Sequence, residues 1–157
     1  MSIKINAREI PEFHFRAVLP EWLGPGGEEC FIEISARAAG AMNPAYTSAI
    51  EKALYAAQIE ERKLSRCKDD AEWVEKNAKA GKDLALANFA AIYDACVIEW
   101  STNIQDDGHD LAPTRESFLG LADVRVAAVA NALTAFEERC RAAGEDGEAV
   151  IEDEEKN

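Results

Sequence analysis

The sequence predicts a mainly helical α+β fold, with a helical bundle core and a small amino-terminal β-hairpin. Three observations lead there. Leu86, Phe89, Ala90, Tyr93, Val97 and Trp100 recur at three- and four-residue spacing within 84–100, which gathers them on one helical face. A second stripe, Val126, Val129, Ala130, Leu133 and Phe136, follows a polar reversal at 103–110, so that two apolar faces fold back on each other. Near the amino terminus the period changes to two, with Phe13, Phe15, Ala17 and Leu19 on one side of an extended segment.

In order along the chain, residues 1–12 are mixed and polar and suit a loose arm or a short edge strand. The strand from Phe13 runs into a glycine-rich turn at 24–29 and a second strand over 30–34, where Cys30, Ile32 and Ile34 oppose Phe31 and Glu33. A hairpin over about 13–34 is marginal alone. It must pack on the helices or be extended by a partner's strand. Alanine-rich 35–42 predicts a short helix. Asn43 then caps a longer one, with Pro44 at its first position, running to about Cys67 with Tyr46, Ile50, Ala53, Leu54, Ala57 and Leu64 inward. Residues 60–70 are so charged that this helix would protrude or fray there. Asp69 and Glu72 have capping-box spacing for another short helix through Trp73 and Val74, which Gly81 separates from the helix over 84–100. The reversal around Gly108 needs positive φ. Beyond it Thr114 caps a short helix over 115–121, and Asp123 caps the last one. From Gly144 seven acids and one lysine predict a disordered acidic tail over 144–157, leaving a single domain over 1–143.

The totals exclude several function classes. Thirty acids against 17 bases give a formal charge of −13, which opposes binding to nucleic acid or to an anionic membrane. No segment approaches the roughly 20 apolar residues of a membrane helix, and no signal-peptide pattern is present, so a soluble, unexported protein is expected. Cys30, Cys67, Cys96 and Cys140 form no C-x-x-C pair and have no histidine at ligand spacing, which suits reduced thiols in a cytosol. The turn at 106–110 is acidic, but a calcium loop placed on Gly108 would put Thr114 where a glutamate must stand. His14 and His109 are the only histidines and have no catalytic partner in the pattern. Glycines 24, 26 and 27 lack the phosphate-loop signature. The expectation is a binding protein without enzymatic activity, metal or cofactor.

One family resemblance spans most of residues 13–140. A long helix ending at Trp100, a turn with Asp106, Asp107 and Gly108, then Leu111, Thr114, Phe118 and Leu119 and an alanine-rich final helix is similar to the tail assembly chaperones of long-tailed, siphophage-type bacteriophages. Pro20, Glu21 and Trp22 before the glycine turn, and Phe31 to Arg37 after it, also resemble that family. The chain departs from its pattern in a longer, more charged segment between Leu64 and Lys82. The resemblance implies a non-virion protein of the host cytoplasm that coats the tape measure protein and assists the tail tube protein, with room for homo-oligomers. Some family members also have a longer form made by ribosomal frameshifting. A client helix would need an apolar groove between the 84–100 and 124–136 helices or beside the hairpin. Trp22, Phe31, Leu86, Phe89, Tyr93, Trp100, Phe118 and Leu133 are the residues expected at that contact. The rival readings are a structural virion subunit, such as a tail or neck completion protein, and more remotely an acidic DNA mimic.

Overall fold

The alternation at the amino terminus becomes strand β1, Glu12–Leu19, with its apolar residues turned inward and Glu12, His14, Arg16 and Val18 outward. The computed structural model describes the backbone of residues 9–156 and the side chains of 9–146. Residues 1–8 and the arm expected there lie outside the described residues. β1 pairs antiparallel with β2, Cys30–Arg37, in a register that sets Phe15 opposite Ile34. Gly26 and Gly27 take φ of +80° and +73° in the connecting turn, a conformation that costs a residue with a Cβ but not glycine.

The helix expected over 35–42 is absent. β2 continues to Arg37, because Ala36 pairs with Val97 on its other side and Ala36, Ala38 and Ala39 are buried. The pairing partner is a strand the periodicity conceals. The helix expected to reach Trp100 ends at Cys96, and β3, Val97–Thr102, follows without a loop. Trp100 lies opposite Ile34, and a register shift at Ser35/Ala36 accommodates the junction. A residue at every third or fourth position satisfies a helical stripe, yet the β-branched pair Val97 and Ile98 favours extended backbone once β2 offers its edge. The sheet order is β1-β2-β3, so the chain itself supplies the strand that extends the hairpin.

Helix α1 spans Pro44–Leu64 and α2 spans Asp70–Cys96. The Asp69 side chain accepts hydrogen bonds from the amides of Ala71 and Glu72, as the cap spacing predicts. The break expected at Gly81 does not occur, and α2 is one helix of 27 residues. A single helical glycine costs only about 1 kcal/mol, less than ending and restarting a helix would.

After β3, β4 (Gln105–Asp106) and β5 (His109–Asp110) form a minimal hairpin whose turn residues Asp107 and Gly108 have φ of +51° and +80°. That is the primed turn that Asp-Gly favours. The Thr114 hydroxyl accepts from the Ser117 amide and starts α3, Arg115–Gly120. Asp123 is not the cap of the last helix. It ends a 3₁₀ turn over Leu121–Asp123, and α4 begins at Ala127.

Phe118 is the hub of the core. Its ring is 5.1 Å from Phe89, 4.9 Å from Tyr93, 5.2 Å from Trp100 and 6.1 Å from Phe136, so α2, β3, α3 and α4 meet on one side chain. Phe136 continues the cluster to Phe15 at 5.6 Å and Phe13 at 6.3 Å, which seats α4 on β1. The bundle is thus one layer of helix over the inner face of a sheet.

α4 also corrects the boundary placed between 143 and 144. The helix runs to Lys156, and Gly144 is buried where α4 crosses the end of β2. A Cβ on Gly144 would overlap the Ala39 carbonyl oxygen, and the Ala39 amide donates to the Cys140 carbonyl at 3.0 Å. Charge density alone assigned this segment to a disordered tail. The small residues Ala143 and Gly144 instead permit a close backbone approach.

Candidate functional site

The base of the α1–α2 pair is fixed by one buried polar residue. Asn43 caps α1 by accepting from the Tyr46 amide, and its Nδ2 donates to the carbonyls of Ala38 and Ala95 at 3.1 and 2.9 Å. Three segments, the end of β2, the start of α1 and the end of α2, are tied together there. From this anchor α1 leaves the sheet, reverses through residues 65–69, and returns as α2. No residue of α1 is fully buried, and α2 is buried only from Phe89 onward. The two helices therefore form an arm about 30 Å long, at 1.5 Å per residue of α1.

The arm exposes apolar surface. Tyr55 is 66% exposed, Val74 60% and Leu54 50%, and Ile59, Trp73 and Leu86 are also open. Tyr55 and Ile59 are four residues apart and share one side of α1. Between the helices lies a shallow groove of about 420 Å³ whose floor includes Ala53, Ala57, Ala80, Gly81 and Leu84. Charged side chains on the arm pair locally, Lys63 with Glu60 at 3.1 Å and Lys76 with Glu72 at 2.6 Å. Residues 44–87 carry eight acidic and eight basic side chains. The arm is neutral in a chain of −13, and all the excess negative charge lies outside it.

The eight residues expected at a partner contact divide sharply. Phe89, Trp100, Phe118 and Leu133 are in the core, where no partner reaches them without unfolding. Tyr93 is half-buried against Phe118. The groove expected between the helices that carry them is filled by this aromatic cluster. It is the core itself. Phe31 lies on the outer sheet face beneath the Arg16 guanidinium, 5.1 Å from its ring centre, and Arg16 is held in turn by Glu29 and Glu33. Trp22 stands 70% exposed beside the glycine turn, and Leu86 lies on the arm. Leu54, expected inward on α1, points to solvent instead. The charged run at 60–70 predicts that the helix protrudes there, but the apolar stripe on α1 is expected to be covered, so sequence reading misses the exposed apolar surface of the arm.

Side chains suited to chemistry are scattered. His14 sits on the outer sheet face beside Glu33, Ser35, Glu99 and Ser101 around a depression of about 210 Å³, and His109 is exposed on the β4–β5 hairpin. Among the described residues no three His, Cys, Asp or Glu side chains are grouped to hold a metal ion, and no helix is long and apolar enough to cross a membrane. Cys96 and Cys140 face each other in the core. Their mutual hydrogen bond, together with burial, pushes the Cys140 thiol well above the ordinary range. Burial also raises Cys30. The hydrogen bond with Cys140 lowers the Cys96 thiol, and all three sulfurs are buried in the core.

Comparison of the chain with known family models, curated proteins and solved structures gives no match.

Proposed function

We propose that this protein is a phage tail assembly chaperone, a non-enzymatic protein that receives an amphipathic helix of the tape measure protein on its α1–α2 arm and assists tail tube assembly. The single observation that carries the reading is the arm. Two long helices hold Leu54, Tyr55, Ile59, Trp73, Val74 and Leu86 in solvent, a surface whose apolar area only a partner covers. A long amphipathic client presents the complementary feature, an apolar stripe at helical spacing. The acidic body, carrying the whole net charge, keeps the assembled complex soluble. The sequence resemblance names the client, and on this reading the protein acts in the host cytoplasm and is absent from the finished virion.

Co-expression with a tape measure protein from the same genome tests the proposal. A client that becomes soluble and co-purifies only with this chain supports it. Loss of that effect when Tyr55 and Ile59 are both replaced by Gln, but not when Trp22 is replaced by Ala, assigns the contact to the arm. A client equally soluble alone rejects it. The virion-subunit reading has one observation in its favour: β1 and β3 are both edge strands and open to strand addition. It requires the protein in purified particles.

A further inference from the structure

We propose that Cys96 and Cys140 form a redox site, which a hydroperoxide oxidises to a disulfide joining the end of α2, the root of the arm, to α4. This inference goes beyond the chaperone reading, and its test uses the purified chain alone, so either can fail without the other.

Two sets of contacts bring the thiols together. The Ala95 carbonyl, one residue before Cys96, accepts from the Asn43 side chain at 2.9 Å, and the same amide donates to the Ala38 carbonyl at 3.1 Å. From α4, the Cys140 carbonyl accepts from the Ala39 amide at 3.0 Å. Adjacent buried residues, Ala38 and Ala39, thus hold α2 and α4 against each other. Inside that junction the Cys96 and Cys140 side chains are hydrogen-bonded to one another. From there, side-chain rotation and a small approach lead to the roughly 2.0 Å of an S–S bond. Neither of the other cysteines competes. Cys30 stands at the opposite end of β2, about 23 Å of strand from Arg37, and Cys67 lies about 40 Å from Cys96 along α2.

The pair also divides the two roles that the reaction needs. The hydrogen bond from Cys140 lowers the Cys96 thiol against the effect of burial, with the Arg37 charge in support, while Cys140 is held protonated. Cys96 therefore attacks and Cys140 resolves. The Cys96 thiolate takes one peroxide oxygen, the O–O bond breaks, and the departing hydroxide becomes water with the proton that Cys96 gave up. The Cys140 sulfur then attacks the sulfur of the resulting sulfenic acid. The S–O bond breaks, and the hydroxyl leaves as a second water with the Cys140 proton. Two thiols become one disulfide, and one peroxide becomes two waters. Hydrogen peroxide, small and uncharged, suits sulfurs whose residues are 1% and 0% exposed. It reaches them when the arm root opens locally, since α2 has no buried residue before Phe89. The product closes a loop over 96–140 and reinforces covalently the junction that Asn43 and Ala39 tie by hydrogen bonds.

Peptide mapping by mass spectrometry tests the site, after the native chain has been treated with hydrogen peroxide and its remaining thiols blocked with a maleimide in denaturant. A Cys96–Cys140 linked peptide is expected, forming more slowly than Cys67 oxidises; reaction at Cys67, the partly open cysteine, shows that the oxidant is active. In a Cys67→Ser chain the bond should raise the melting temperature by roughly 5–15 °C over the dithiothreitol-reduced form. Cys140→Ala should leave Cys96 as a sulfenic acid that dimedone traps, whereas Cys96→Ala should leave Cys140 unmodified. Circular dichroism checks that these variants fold, and the wild-type map stands without them. The proposal is overturned by free Cys96 and Cys140 in a chain oxidised at Cys67, by a link from either to Cys30 or to a second chain, or by a link that forms only in denaturant. An unchanged melting temperature, or a dimedone adduct on Cys140 in the Cys96→Ala chain, would equally contradict it.

Discussion

Gly144 and Gly81 are both helical glycines, yet an alanine should act oppositely at the two. At Gly144 the added Cβ meets the Ala39 carbonyl, so Gly144→Ala should cost about 3 kcal/mol through forced separation of α4 from β2. Nothing lies within 4 Å of a Cβ at Gly81, and Gly81→Ala should gain about 0.5–1 kcal/mol from helix propensity. Urea titration of both variants checks the pair. Asn43 offers a sharper test of the anchor. Asn43→Ala removes a cap and leaves the Ala38 and Ala95 carbonyls without their side-chain donor, an expected loss of about 2–4 kcal/mol by the same titration. Glu137 makes stability depend on pH. Burial raises its carboxyl above the ordinary value, with Arg141 at 3.6 Å partly opposing. The folded chain thus holds the proton to higher pH than the unfolded chain, and this residue's contribution to stability falls as pH rises through that interval. Glu137→Gln should be at least as stable as the native chain at neutral pH and should flatten the difference between melts at about pH 5 and about pH 8.

At the scale of elements, what the sequence discloses is local chemistry. Asn43, Asp69 and Thr114 each act as the cap their type and spacing predict, and the Asp107-Gly108 turn takes the conformation its residues favour. Two of the errors share a cause, which is that long-range pairing overrides local preference. Trp100 completes a helical stripe on paper, but β2 recruits its segment as a strand. Alanines 36, 38 and 39 are helix formers that become extended or turning chain because β2 pairs on both sides through Ala36 and the Ala39 amide donates to the Cys140 carbonyl of α4. Of the expected contact residues, Trp22 and Leu86 are open while Phe118 anchors the core, because an aromatic in a stripe does not disclose whether its own chain or another covers it. Thiol chemistry reads the arm directly. Cys67 is the partly open cysteine near the tip, whereas Cys30, Cys96 and Cys140 are buried. Under native conditions an alkylating reagent should modify one thiol quickly and the other three only on unfolding, as counted by mass spectrometry.

The whole molecule divides its labour between a charged body and a neutral arm. The body holds the sheet, the aromatic cluster around Phe118 and all of the net charge, and the arm holds most of the exposed large apolar side chains. On the proposed reading, such a division meets two requirements of a protein that handles apolar helices: a surface that attracts them, and a remainder whose charge keeps the complex soluble. The mainly helical α+β class was legible from periodicity, whereas the separation of arm from body became visible only with the contacts in hand.

Hydrogen exchange on the chain with and without a tape measure fragment tests the central claim most directly. The amides of residues 50–86 lie in helices with little tertiary cover, so they should exchange readily in the free chain and slowly in the complex. Protection concentrated there on binding is the predicted result. Protection along β1 or β3 instead, with the arm unchanged, would contradict it and assign the contact to a sheet edge.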